Sequence, residues 1–441
     1  RWVSELQVHA GWGKSVKLPS FQVLYPTPSY DDRLAFASTS TSTNKSYYAY
    51  HTYPSTAIYN PDLRWQYTNQ TDIGVKMTIL GTQVSVSGFH HRTQRPYMST
   101  DVFTPTIYRY TPPASLDVLT SNAENRRFTI DQQTGVVTAY DITGATTAQE
   151  LAYKEHKTYS VNNKYVNGTG IDRYGLEWTI DFTPIKALRT SIRLDGTYYY
   201  YKGNDDVLFA DIPTGASNTT MTGGLPYGYV GWYRGTDISS TSYSAGASVS
   251  NGSLSKQLNM NATITTHIPK VRLIVSLRIE SKLYSYKRSL SEFSDGTRGI
   301  VLDKAGEFFG TPYDGSSENR YVAIYPEYSS TWDNPSELIP FAERFAWARD
   351  NDPQLYSDLS KLVQKSNYAY VMNANRLSAY YSANISVTKE IGDHVSISFY
   401  ANNFFNNMKK IHSSQTGLDT SLFASSYIPS FYYGLSLKLK L

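Results

Sequence analysis

The stretch that decides the fold is FYYGLSLKLKL, residues 431–441, in which apolar and polar side chains alternate without a break. In an extended strand one face would carry Phe431, Tyr433, Leu435, Leu437, Leu439 and Leu441, and the other Tyr432, Gly434, Ser436, Lys438 and Lys440. Alternation of this length is typical of a strand with hydrocarbon on one side and water on the other, as in a transmembrane β-barrel. We therefore expect residues 431–441 to form a barrel strand, and the barrel to close with it.

Composition is compatible with this prediction. The mean hydropathy of −0.42 and the lack of a long apolar run argue against membrane helices, but a barrel exposes only alternate residues to lipid and keeps mean hydropathy low. The 39 Tyr and 7 Trp fit aromatic girdles, and the lack of Cys fits an oxidising envelope compartment. The net charge of +4 does not indicate nucleic acid as a partner.

The same alternation recurs upstream and predicts about ten antiparallel strands. Further predicted strands run through Trp2–Trp12, 65–79, 84–86, 174–182, 192–200, 258–264, 271–279, 379–387 and 395–401, with tight turns at Gly81-Thr82-Gln83, Pro184-Ile185-Lys186, Pro269-Lys270 and Gly392-Asp393-His394. We therefore expect an all-β protein built from consecutive hairpins.

Short turns alternate with long polar connections, near 13–63, 92–170, 202–256, 285–376 and 405–429. This asymmetry is typical of outer-membrane barrels, with short periplasmic turns and long extracellular loops. Counting from an outward first strand, Leu441 would lie on the periplasmic side. Within the loops we expect a hairpin joining residues 128–130 to 136–138, and a short helix from Pro353 to Gln364.

The alternation leaves two architectures open. About ten strands could close as a small barrel, because bacterial barrels use even strand numbers from about 8 upward. The strands could instead be the C-terminal part of a larger barrel, because most of the chain would otherwise be loops on a narrow rim and Arg1 enters a strand at once, with no signal peptide.

Two motifs favour the larger barrel. The segment Gly11–Phe21 (GWGKSVKLPSF), followed by Asn60-Pro61-Asp62-Leu63 and the strand to Val75, resembles the two signature boxes of TonB-dependent outer-membrane receptors in order and spacing. Supporting similarities are YGLE at 174–177, the Ile268-Pro269-Lys270 turn, YANNFFN at 400–406 and the terminal strand. The sequence departs from the family at Leu441, where an aromatic residue is usual, and at Val16-Lys17, where Arg-Ala is commoner.

The resemblance implies a barrel of about 22 strands filled by a plug domain, with residues 1–441 as the C-terminal portion of the barrel and the plug and N-terminal barrel strands absent from this chain. It also implies active import of a scarce nutrient such as a siderophore, vitamin, glycan or peptide across the outer membrane of a Gram-negative bacterium. The implied partners are outer-membrane lipid, the TonB complex acting through the absent plug region, the plug and remaining barrel segment, and a surface lipoprotein that some related importers use. A passive channel or adhesive barrel closed by ten strands is the alternative function.

Tyrosine-rich loops are the candidate ligand surface, because rigid aromatic faces can stack on sugars, peptides or aromatic chelators. The residues are Tyr47, Tyr48, Tyr50 and Tyr53 in one loop, and Tyr227, Tyr229, Trp232 and Tyr233 in another. The alternative is an interfacial girdle or packing within the loops. Their interleaved charges do not choose between anionic and cationic cargo.

Three other groups of residues carry weaker signals. His90-His91 could bind a metal, His51 lies where haem importers of the family carry an axial histidine, and Asp393-His394 resembles part of a catalytic triad. For all three we prefer an ordinary rim, loop or turn position, because ligand spacing, the haem subtype of the boxes and a nucleophile are missing. We therefore expect no catalytic residues, no metal, no cofactor and no enzymatic activity.

Overall fold

The computed structural model describes residues 2–25, 27, 29–40, 45–55, 58–204, 207–211, 228–234, 252–290, 300–302, 322–366, 374–424 and 430–439. Within them, one antiparallel sheet contains ten long strands, each paired with the next long strand along the chain, and the short strand Asn375–Leu377, which pairs beside one of them. We call these wall strands β1 (Val3–Lys17), β2 (Gln66–Ile79), β3 (Thr82–Gln94), β4 (Ile171–Asp181), β5 (Thr190–Asn204), β6 (Gly252–Ile268), β7 (Leu273–Ser289), β8 (Tyr380–Ile391), β9 (Val395–Asn406) and β10 (Tyr432–Leu439). The predicted hairpin order is confirmed.

The sheet has one apolar face and one polar face, because residues opposite each other on neighbouring strands point to the same side. One cross-strand row from β1 to β6 reads Val8, Val75, Val86, Trp178, Gly196 and Met260. The adjacent row from β1 to β8 reads Gln7, Lys76, Ser85, Thr179, Asp195, Asn261, Glu280 and Ser382. The sequence alternation therefore separates an apolar from a polar face along these rows.

One end of the sheet is closed by tight turns. Leu80 and Gly81 both have positive φ, at 49° and 81°, and join Ile79 to Thr82 in a two-residue turn of the kind that matches strand twist. Three residues starting with Gly392, at φ 60°, join β8 to β9. The turn between β6 and β7 begins at Pro269, as the sequence predicts.

The ten strands do not close on themselves in the structure. Among the described residues, β1 pairs only with β2 and β10 only with β9, so both remain edge strands. This arrangement fits part of a larger barrel. Lys440 and Leu441, at the end of the predicted terminal strand, lie outside the described residues.

The first strand is longer than the predicted Trp2–Trp12. It continues to Lys17, which pairs with Gln66, so residues 13–17 belong to the wall and not to the first loop. The prediction stopped early because both faces of this segment become polar, whereas the backbone ladder continues.

The long connections, all at the other end of the sheet, carry structure of their own. The first (18–65) contains strands Ser29–Ser40 and Lys45–Ser55 and helix α1 (Phe21–Leu24), and the second (95–170) contains strands Tyr97–Tyr110, Arg126–Ile130, Val137–Asp141, Gln149–Glu150 and Lys154–Asn167 with 3-10 turns Pro113–Leu116 and Ala123–Asn125. The third contains Leu208–Asp211 and Tyr229–Arg234. The fourth contains Ile300–Leu302, Val322–Ile324, Tyr328–Thr331, Ile339–Pro340, α2 (Phe341–Asn351), α3 (Pro353–Ser360), Gln364–Ser366 and Asn375–Leu377, and the fifth Ile411–His412, Asp419–Thr420 and the 3-10 turn Leu422–Ala424.

Two loop predictions can be compared with these elements. The hairpin is confirmed, since Thr129 pairs with Thr138 and Ile130 with Val137. The helix predicted from Pro353 to Gln364 ends at Ser360, and Gln364 begins a strand instead. Asp352 starts this helix, because its side chain accepts a hydrogen bond from the Leu355 amide at 3.0 Å. In the part of the chain that the structure describes, no helix is long and apolar enough to cross a membrane.

Candidate ligand-binding cavity in the long loops

The first and second long loops enclose an open cavity of about 860 Å³. Its wall comes from hairpin Ser29–Ser40/Lys45–Ser55, the paired strands Tyr97–Tyr110 and Lys154–Asn167, and the turn after Ile130. Lining residues are Ala35, Tyr48, Ala49, Tyr50, His51, Ile107, Tyr108, Arg109, Ile130, Asp131, Gln132, Gln133, Thr134, Gly135, Val137 and Glu155. The cavity therefore combines aromatic faces with charged and amide groups.

An aromatic core fixes the orientation of the tyrosine-rich strand. Phe36 and Phe128 are buried with their ring centroids 5.0 Å apart, and the Tyr47 ring packs edge-on against Phe128 at 5.3 Å. Because alternate residues of a strand point to opposite sides, packing Tyr47 against Phe128 turns Tyr48 outward, and Tyr50 lies on the same side as Tyr48. Their exposed fractions are 54% and 57%. Of the four tyrosines predicted here, only Tyr48 and Tyr50 line the cavity.

Tyr53 belongs to a separate chain of ring contacts that passes through His51. The His51 ring centroid lies 4.3 Å from that of Tyr53 and 6.1 Å from that of Tyr108. The Tyr108 hydroxyl lies 3.4 Å from Nδ1 of His156. Burial raises the pKa of both tyrosines. Burial, reinforced by the charge of Lys154, lowers the pKa of His156 below its ordinary value, which favours a neutral imidazole whose Nδ1 can accept a hydrogen bond from the Tyr108 hydroxyl.

Charged groups occupy the other side of the cavity. Asp131 accepts hydrogen bonds from the backbone amides of Thr134 at 2.7 Å and Gln133 at 2.9 Å, and these bonds lower its pKa. Arg109 lies opposite Glu155 in the strand register. Both signs of charge are present, so the site suits a polar molecule that offers hydrogen-bond donors and acceptors as well as a flat face for stacking.

The predicted aromatic residues of the third loop lie elsewhere. Tyr233 is 1% exposed and its hydroxyl donates a hydrogen bond to the Leu362 carbonyl. Trp232 donates from Nε1 to Oγ of Ser330 at 2.9 Å, and Tyr229 packs beside Arg344. These three residues pack the third loop against the fourth, the alternative role weighed in the sequence analysis. Tyr227 lies outside the described residues.

The histidines with weaker signals do not converge. His90 points to the apolar face, 3.4 Å from an Asp172 carboxylate oxygen, whereas His91 points to the polar face beside Phe89. Asp393 lies in the tight turn after β8, 3.4 Å from Nη1 of Arg272. Within the described ranges, no group of three or more His, Cys, Asp or Glu side chains could hold a metal ion.

The Asn-Pro-Asp-Leu motif is a turn anchored to the second loop. Oδ1 of Asn60 accepts a hydrogen bond from the backbone amide of Asp62 at 3.1 Å, and Nδ2 of Asn60 donates one to the Tyr165 carbonyl at 2.8 Å. The amide of Arg64 donates to Oδ1 of Asn167 at 2.7 Å. The motif therefore fixes the end of the first loop where the chain enters β2.

One comparison with known proteins identifies the fold. Residues 1–118 match the family model described as TonB dependent receptor-like, beta-barrel. No curated protein matches the chain. The matched segment covers β1 to β3, the first long loop and both predicted signature boxes. Together with the antiparallel sheet that continues from the matched residues, this match supports a TonB-dependent receptor β-barrel.

Proposed function

We propose that the chain is part of an active importer that takes up a scarce nutrient, such as a siderophore, vitamin, glycan or peptide, with energy supplied through TonB. Proteins of this family are outer-membrane transporters and not enzymes. In the proposed orientation the short turns face the periplasm and the long loops face outside. The cavity between the first two loops then lies where a ligand arrives.

The observation that carries the proposal is the composition and place of that cavity. Tyr48 and Tyr50 offer exposed rings, and Arg109, Asp131 and Glu155 supply both donors and acceptors. Loops held on a rigid sheet are a common place for binding residues, because the sheet fixes their position while the loops vary. The packed core around Phe128 provides that support.

The polar face of the sheet supports passage of a polar molecule. A second open cavity of about 520 Å³ on this face is lined by His9, Asp72, Ser87, Gly88, Phe89, His91, Arg173, Glu177 and Tyr199. A third, of about 610 Å³, includes Glu177, Arg193, Asp195 and Asn261. A wall with this polarity faces the barrel interior in outer-membrane proteins.

The proposal includes partners that are separate from the described sheet. The plug and the remaining strands would complete the barrel beside β1 and β10, and TonB would act through the plug. A surface lipoprotein could cap the loops. A passive or adhesive barrel of ten strands would instead require β1 to pair with β10, and the described residues show no such pairing.

The test uses the full-length receptor purified from its native outer membrane in mild detergent and examined by native mass spectrometry. We expect a small molecule to copurify with the wild type, and its occupancy to fall at least tenfold in the Tyr50→Ala/Arg109→Ala double variant. Tyr30→Ala is the control, because Tyr30 is 70% exposed on the same hairpin and does not line the cavity. Equal occupancy in all three proteins would contradict the cavity assignment.

Energy coupling is tested separately on intact cells. Once the copurifying molecule is identified, its labelled form should accumulate in wild-type cells, and a protonophore should abolish accumulation. Uptake that persists unchanged in the presence of the protonophore would support the passive channel instead.

A further inference from the structure

Basic side chains are concentrated at one height of the apolar face. We use the term outer rungs for two neighbouring cross-strand rows close to the long loops. The lower rung reads Trp12, Thr71, His90, Tyr174, Tyr200, Lys256, Tyr286 and Arg376, and the upper one Lys14, Asn69, Arg92, Asp172, Lys202, Leu254 and Arg288. Six of these fifteen positions are Lys or Arg, and one is acidic.

Strand geometry places these rungs at the membrane surface. Below Lys256, the apolar face of β6 continues through Leu258, Met260, Ala262, Ile264, Thr266 and Ile268. Ten residues at about 3.4 Å each, tilted by about 40°, span about 26 Å of membrane normal, close to the 25 Å apolar band of outer-membrane barrels. Lys256 therefore lies where the acyl chains of the outer leaflet meet their headgroups.

The two cations of the lower rung lie over tyrosine rings. Nζ of Lys256 lies 5.8 Å from the ring centroids of both Tyr200 and Tyr286, and the Arg376 guanidinium lies 5.2 Å from that of Tyr284. Tyrosine rings at the interface contact the apolar stem of a Lys or Arg side chain and leave its charged group facing the headgroup layer. Asp172 stands at the far side of this cluster, within 3.4 Å of His90 and 3.8 Å of Arg92.

The opposite end of the apolar face is different. There the last rows of β7, β8 and β9 read Val275, Val387 and Phe399, then Leu273, Lys389 and Ile397. The one cation of these rows, Lys389, donates a hydrogen bond to the Val271 carbonyl. Other basic residues at that end lie within the turns or, like Arg193 and Lys438, on the polar face, so the basic cluster of the apolar face is on the side of the long loops.

We propose that Lys256, Arg376 and their neighbours on the outer rungs form a binding site for the phosphate of an outer-leaflet lipid headgroup. Lys and Arg bind phosphate by charge-assisted hydrogen bonds, and a juxtamembrane basic cluster attracts anionic headgroups. The proposed ligand is a lipid because the apolar residues directly below the basic cluster, from Leu258 to Ile268, would contact acyl chains of the same molecule.

The test uses the full-length receptor in nanodiscs of phosphatidylcholine that contain one tenth diphosphorylated lipid A, or the same lipid A after enzymatic dephosphorylation. After mild detergent extraction, mass spectrometry measures the lipid A retained per receptor. We compare the wild type with Lys256→Gln/Arg376→Gln and with Lys76→Gln/Lys287→Gln. The latter pair removes the same charge from the polar face. The resistance of each folded barrel to SDS before heating serves as a check on folding.

We expect the wild type and the polar-face variant to retain phosphorylated lipid A. The Lys256→Gln/Arg376→Gln variant should lose about 25-fold in retention, from about fivefold for each basic residue removed near a lipid surface. Lys256→Arg/Arg376→Lys should retain the lipid. Equal retention of dephosphorylated lipid, equal retention by the Gln variant, or displacement by millimolar inorganic phosphate would each overturn the lipid headgroup site.

Discussion

The two faces of the sheet can be tested with neighbouring residues of β6. Ala262 points to the apolar face between Leu194 and Ile279, and Asn261 points to the polar face between Asp195 and Glu280. Ala262→Arg would place a guanidinium in lipid, whereas Asn261→Arg would place the same group beside two carboxylates. The two introduced arginines are neighbours in the chain but lie on opposite faces of the sheet.

The loss of folding free energy depends on how deep the introduced arginine lies in the membrane. Residues 258–268 of β6 cross the apolar band, so Ala262 lies near its middle, where an Arg on the lipid face of a barrel costs about 2–4 kcal/mol. That cost lowers the folding equilibrium constant by a factor of about 30 to 900. Asn261→Arg loses the 2.8 Å hydrogen bond to Asp195 but gains a charge partner, so we expect a change below about 1 kcal/mol.

The assay is guanidinium denaturation of the full-length receptor in phosphatidylcholine vesicles, followed by the loss of the heat-modifiable band on gels. The denaturation midpoint of Ala262→Arg should fall clearly, and that of Asn261→Arg should stay near the wild-type value. The assignment of faces is refuted if Asn261→Arg is as damaging as Ala262→Arg, or if Ala262→Arg has no effect.

Two further predictions concern the loops. Phe128→Ala should destabilise the first two loops by about 3 kcal/mol, because Phe128 is 9% exposed and packs on Phe36, and the result should appear as faster loop proteolysis with an intact wall. The pKa of His156 is lowered in the folded loop, so neutral His156 contributes to the stability of the loop at pH 7.5. This stability is lost as the pH falls below the ordinary value of about 6.5, because the unfolded chain then binds the proton more tightly than the folded loop does. Amide exchange of the strand that carries Tyr108 should therefore accelerate from pH 7.5 to pH 5 in the wild type but not in His156→Gln, and equal acceleration in both proteins would contradict this role.

The wall was predictable from the sequence because its pattern is local. Each strand alternates between lipid and water, and each tight turn carries its own signal, as at Gly81 and Gly392. The strand ends were less predictable. Residues 13–17 lose their alternation beyond the membrane but keep their backbone pairing with β2.

The loops were predictable only in part. The hairpin around Gly135 has a local turn signal, whereas the strands Tyr97–Tyr110 and Lys154–Asn167 pair over a long separation that no local pattern reveals. Helix α2 had a readable signal that the prediction missed, because Phe341, Phe345 and Ala348 recur at helical spacing and are all buried.

The candidate site shows the same limit. Tyrosine enrichment pointed to a strand that lines the candidate cavity, but it could not separate Tyr48 and Tyr50 from Tyr47, since the side on which each ring lies depends on the packing of Phe128. Arg109 and Glu155 reach the cavity through the long-range strand pairing. No spacing in the sequence brings them next to the tyrosines.

The most direct test of the account is the side of the membrane on which each end of the wall lies. The chain contains no cysteine, so a single cysteine can be placed at Gln133 in the loop cavity or at Asp393, which is 87% exposed in a tight turn. In an otherwise cysteine-free full-length receptor, a membrane-impermeant maleimide should label Gln133→Cys on intact cells and Asp393→Cys only after the outer membrane is permeabilised. Labelling of Asp393→Cys on intact cells, with Gln133→Cys protected until permeabilisation, would contradict the account.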